Sequence, residues 1–157
     1  MTDPKVSDIL AGNPFFHGLK REHLAFLARC SRYQSLRRNE FLFHEDDPAR
    51  TFYLVRDGEI SIEVPAVEGP PLVVQTLGAD EVLGWSWLIA PYRWHFQGRA
   101  GVDTRLIAFD GALIQARCEA DYEFGYRLLR DFAELMSQRL AMARERLMME
   151  WSPAGFA

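Results

Sequence analysis

Arg93 is the residue in this chain whose surroundings most suggest chemistry. It lies inside "GWSWLIAPYRWHF", residues 84–96, beside His95 and among three of the four tryptophans. Five of those thirteen residues are Trp, Tyr or Phe. A guanidinium can hold a phosphate or carboxylate with two parallel hydrogen bonds. Large aromatics at this density either fill a core or cover a flat ligand. The residue types therefore leave two readings of Trp85, Trp87 and Trp94: packing, or a stacking platform beside an anion-binding Arg93. Arg93 has its own alternative, a salt bridge to a nearby acid or exposure at the rim.

Other chemistries lack their ligand sets. His17, His23, His44 and His95 are the only histidines, and no two have the H-x-H or H-x₃-H spacing of a metal site. Cys30 and Cys118 are isolated and far apart, which argues against a disulfide framework, a redox pair or an iron–sulfur cluster. No nucleophile stands with a base and no paired acids form a motif, so the chain is not expected to be an enzyme.

The elements that must position this stretch follow from periodicity. The chain has 157 residues, a net charge of −4 and a hydrophobic share of 48%, the make-up of one globular domain. The charge offers no footprint for nucleic acid or anionic lipid, no apolar run approaches a membrane span, and the polar N-terminus lacks a signal peptide's apolar segment. A cytoplasmic protein without direct DNA or membrane contact is expected. Residues 1–30 read as helical, with Leu19, Leu24, Leu27 and Ala28 at helical spacing after a Gly12-Asn13-Pro14 break. Residues 31–110 read as short strands with turns about every ten residues, the pattern of a sandwich or barrel. Asp57-Gly58 is the strongest hairpin signal among them.

Residues 111–150 are helical again: a short helix capped by Asp110, then a long one from about residue 121. In the long helix Leu128, Phe132, Leu135, Met136, Leu140, Ala143 and Leu147 form one stripe. Thirty helical residues span about 45 Å, more than a small barrel can cover. The face along Phe132, Met136, Ala143 and Leu147 is therefore expected to be only partly covered within one chain and to pack on a second copy. The tail "SPAGFA" reads as a stop.

This order resembles the cyclic-nucleotide-binding domain family, of the catabolite activator type. "NPFFHGLKREHLAFLARC" is similar to its opening helical segment, "NEFLFHEDDPARTFYLVRDGEISIEV" to its two-strand signature, and "LGWSWLIAPYRWHFQGRA" to its phosphate-binding cassette. The resemblance covers roughly residues 13–146. It implies a mostly β fold with flanking helices: a double-stranded β-helix (jelly roll), N-terminal helices and a long C-terminal helix in a single domain. The family's turn glycines fall on Asn39 and Asp46, the types that best tolerate positive φ.

By the same resemblance, Gly84, Trp85, Ser86, Trp87, Leu88, Arg93, Trp94 and His95 form the ligand-binding cassette, with Ala143 and Arg144 facing the pocket from the long helix. A short helix near Ser86 could offer backbone N–H groups to an anion. Family binders place Glu after the first glycine, on the ribose 2′-hydroxyl; here it is Trp85, which has no acceptor. Where binders use Ala or Gly two positions on, this chain has Trp87, and Trp94-His95 replaces a small pair after the arginine. The expected function is a stand-alone sensor module for a cyclic nucleotide or another small anion, with Trp85 and Trp87 filling the nucleotide site and cyclic AMP held weakly or not at all. The alternative is a ligand-free assembly protein that docks an unidentified protein partner through its long helix. The resemblance extends to no helix-turn-helix, since the sequence stops after the long helix.

Overall fold

The computed structural model describes residues 4–150, so the tail reading falls outside the described residues. The chain starts with α1 (Val6–Ala11), a 3-10 turn (Pro14–Phe16) and α2 (Arg21–Arg29). Asn13 joins the first two: its side chain accepts from Phe15 N at 2.9 Å and donates to the Asp80 carbonyl at 2.9 Å. In α2 the buried face is His23, Leu24 and Leu27, while Glu22 and Arg29 lie at the ends whose dipole charge they complement.

Eight strands follow: β1 (Ser31–Leu36), β2 (Phe41–Phe43), β3 (Thr51–Asp57), β4 (Ile60–Val64), β5 (Leu72–Leu77), β6 (Val82–Leu83), β7 (Gln97–Ala100) and β8 (Thr104–Asp110). They form two antiparallel four-stranded sheets, ordered β1-β8-β3-β6 and β2-β7-β4-β5. The expected jelly roll is thus observed, but Asp57-Gly58 is not its hairpin. β3 and β4 lie in different sheets, and the turn between them carries the chain across the edge of the roll. Gly58 has φ +95°, and a Cβ there would lie 2.4 Å from Thr104 Oγ1, so this corner requires glycine. Asn39 (φ 72°) and Asp46 (φ 71°) adopt the left-handed conformation expected of them.

The first sheet is apolar on both faces, and strand alternation separates two cores. Phe52, Leu54, Ile107 and Phe109 point outward into a core shared with the helices. Tyr53, Val55, Leu106 and Ala108 point inward and meet Phe43, Ile60 and Leu77 inside the roll.

α3 (Gly111–Ala120) begins at Asp110, whose carboxylate accepts from Ala112 N and Leu113 N, as expected. After one residue, Asp121, α4 (Tyr122–Glu150) runs for 29 residues. Its apolar stripe is divided. Phe124, Leu128 and Phe132 are buried, Leu135 and Met136 are half-buried, and residues 140–150 are all exposed. Phe132 therefore belongs to the core, not to the uncovered face. Leu140, Met142, Leu147 and Met148 remain in solvent at 72%, 55%, 58% and 62% exposure. Among the described residues no helix is long and apolar enough to cross a membrane.

Candidate functional site

The cassette begins where β6 ends. Gly84 takes φ +100°, which lets the chain turn back under the indole of Trp94; a Cβ on Gly84 would sit 2.8 Å from Trp94 Cη2. Residues 86–88 then form a turn, not the short helix expected near Ser86. The turn closes through Leu88 N donating to Trp85 O and Trp87 Nε1 donating to Gly84 O, both at 3.0 Å. Ser86 is buried, Leu88 is half-buried, and the tip at Ile89 and Tyr92 is exposed.

The three tryptophans go to three different places. Trp87 is 1% exposed but faces outward, into the helix-side core. Its ring stacks on Phe52 with centroids 5.2 Å apart and meets Phe132 edge-on at 5.5 Å. Its carbonyl accepts from Gln115 Nε2. Expected to fill the nucleotide site, Trp85 and Trp87 instead pack on the helix side: the left-handed turn at Gly84 ends the alternation of β6, in which Leu83 still faces inward. Trp85 is half-buried on the same side, with the Arg139 guanidinium 5.8 Å over its ring. Arg139 also donates to Val82 O, and burial pulls its pKa down to about 10 against the opposing charge of Glu81.

Trp94 is the one inside the roll. It is 7% exposed and lies parallel to Phe43, with centroids 3.8 Å apart and planes 10° apart. Its backbone is clamped to the β2–β3 connection: Trp94 N donates to Asp47 O at 3.0 Å, and Asp46 N donates to Trp94 O at 2.8 Å. Leucine and alanine side chains from both sheets complete its surroundings.

Arg93 points the other way. It is exposed, forms a bridge pair with Pro48, and its Nη1 donates to the Asp46 carbonyl at 2.7 Å. His95 is exposed, as are Ala143 and Arg144 on the far half of α4. The structure thus brings Gly84 and Trp94 together in the interior, and leaves Arg93 and His95 at the surface.

Two contributors were missed in the sequence. Phe43 is the platform for Trp94, and β2, only three residues long with a register shift between Phe41 and Phe43, carries no alternation that would mark it. Arg139 reaches the cassette from α4, and nothing in its local pattern marks it. A polar cluster on the outer face of the second sheet was also unread. There Glu63, 1% exposed, accepts from Gln97, Arg99 and Ser61 at 2.8–3.0 Å. Burial opposes the charge of Glu63, but these three hydrogen bonds outweigh it and hold its carboxyl below the ordinary range.

The profile of the cyclic nucleotide-binding domain matches residues 33–121. Among solved structures, a protein from Geobacter metallireducens assigned as cyclic nucleotide-binding superposes with a TM-score of 0.77 at 24% identity, over 89% of this chain and 99% of its own. The N-terminal domain of a transcriptional regulator from Streptomyces coelicolor does so with a TM-score of 0.69 at 26% identity, over 94% and 100%. The catabolite activator protein of Thermus thermophilus gives 0.70 at 22% identity, over 87% of this chain and 62% of its own. No curated protein matches the chain.

Proposed function

Because the chain belongs to the cyclic nucleotide-binding domain family, we propose that it is a regulatory module of that family whose nucleotide site is filled by its own side chain and whose output surface is α4. The observation that carries this reading is the Trp94 indole, buried in the roll and flat against Phe43. In family binders the ligand lies in the roll beside the cassette, and a packed interior has no spare volume for a purine ribose phosphate. The polar contacts are missing as well. Trp85 stands where the ribose acceptor would be, and losing a hydrogen bond to a charged group costs about 1.5–3 kcal/mol. Arg93, in the place of the phosphate-binding arginine, spends a donor on Asp46 O.

The exposed apolar residues of α4 support the second half of the reading. Leu140, Met142, Leu147 and Met148 project beyond the core, and a two-fold contact with a second copy would bury them. Calorimetry with cyclic AMP and cyclic GMP tests the closed site. The expected result is a dissociation constant weaker than about 1 mM. Binding at about 1 µM or tighter, lost in Arg93→Ala, would overturn the reading.

A second reading has one observation in its favour. Arg93 is exposed at the end of the cassette, where its guanidinium is accessible to a small anion. Tryptophan fluorescence titrated with inorganic phosphate, compared between the wild type and Arg93→Ala, would separate this from a purely internal role.

A further inference from the structure

A cavity of about 260 Å³ lies between α4 and the roll, and none of residues 84–95 lines it. Phe15, Val82, Leu135 and Met142 give it apolar walls, and Asp131 contributes a carboxylate. One oxygen of that carboxylate, Oδ2, is sealed from solvent and has no hydrogen-bond partner among the described residues. A charged oxygen hidden from water without a donor is costly. The consequence is visible in its acidity: burial, and then the charge of Glu134, push the Asp131 carboxyl up to about 6, while Arg130 and Arg127 pull against them.

Two of the other charged groups around the cavity are ion-paired, and the rest meet neutral partners. Asp80 pairs with Arg56 at 3.4 Å, Glu134 with Arg130 at 3.5 Å, and Glu81 accepts from Gly78 N at 2.7 Å. The lining cation, Arg139, donates to Val82 O and lies over the face of Trp85, neutral partners that leave its charge in place. The lining carries four carboxylates, Asp80, Glu81, Asp131 and Glu134, against the one guanidinium of Arg139, beside the apolar patch of Phe15, Val82, Leu135 and Met142. An anionic rim beside an apolar patch suits a ligand with a positive head and an apolar body.

We propose that this cavity is a second ligand site, distinct from the cassette, that takes a small organic cation: an ammonium or amidinium whose apolar body packs on Leu135 and Met142 and whose charge neutralises Asp131. The inference goes beyond the closed-cassette reading and does not depend on it. Such a ligand would bridge α4 to β6 and so act on the element proposed as the output surface.

The test is calorimetry at pH 7.5 with three probes of one chain length: n-hexylammonium, n-hexanol and n-hexanoate. Hexylammonium is expected to bind at least about tenfold more tightly than hexanol, and hexanoate not to bind, since a charge of the wrong sign meets an unpaired one. Ligand binding selects ionised Asp131, so affinity should fall about tenfold from pH 7.5 to pH 5, the loss of the ionised fraction of a group titrating near 6. Asp131→Asn should abolish the preference for the cation. Met142→Trp, a change at a half-exposed wall residue, should abolish binding of all three probes by filling the space. Equal affinity for hexylammonium and hexanol, no hexylammonium binding at millimolar concentration, or undiminished binding in both variants would each overturn the proposal.

Discussion

The indole of Trp94 lies flat on the ring of Phe43, 3.8 Å between centroids and 10° between planes, in the core inside the roll. Trp94→Ala removes the largest side chain in that core and leaves a cavity. The expected loss is about 3–5 kcal/mol of stability. Urea unfolding with an unchanged m-value would show it; a loss below about 1 kcal/mol would mean that the roll collapses freely around a removable lid.

Gly84 and Trp94 form a second dependent pair. Gly84→Ala must place a Cβ 2.8 Å from Trp94 Cη2 at φ +100°, so it carries both a clash and backbone strain. The strain alone is worth about 1–3 kcal/mol. Trp94→Phe removes Cη2 and should recover the clash but not the strain. A double-mutant cycle that shows coupling between the two positions confirms the packing; strict additivity refutes it.

Asp131 gives a pH dependence whose sign is opposite to that of an ordinary paired carboxylate. Its folded-state pKa, about 6, is raised above the ordinary 3.8, so the folded state disfavours the charge. Stability linked to this group is fully present below about pH 4 and is lost as pH rises through 6. Asp131→Asn is therefore expected to stabilise the protein by on the order of 1 kcal/mol at pH 8, the full shift being reduced by solvent screening of a partly buried group, with the gain vanishing near pH 4. Thermal unfolding across that range measures it, and a destabilised Asn variant at pH 8 would contradict the assignment.

The exposed end of α4 should drive self-association. Sedimentation at micromolar concentration is expected to show a dimer, and Leu140→Glu, a charge on a residue 72% exposed, to shift it toward monomer with no loss of fold. A wild-type monomer under those conditions would leave the helix end to a different protein partner.

The element order was legible in the sequence because each element carries its own local signal. Helical spacing marked α2 and α4, Asp110 marked the start of α3, and Asn39 and Asp46 marked turns that only a few residue types accept. These are consequences of neighbours along the chain; they gave a sandwich or barrel between helices, and the family resemblance implied the jelly roll.

What only the tertiary structure decided was which side of the sheet each side chain faces, and which strands pair. Asp57-Gly58 has the composition of a hairpin, yet the roll uses it to pass between sheets, because β3 finds its partners in β6 and β8. The tryptophans make the same point. Trp85, Trp87 and Trp94 are chemically equivalent in the sequence, but the turn at Gly84 and the clamp between Trp94 and the β2–β3 connection send two of them toward the helices and one into the interior. Local pattern determines that a residue is buried; the register of strands distant in sequence determines in which core.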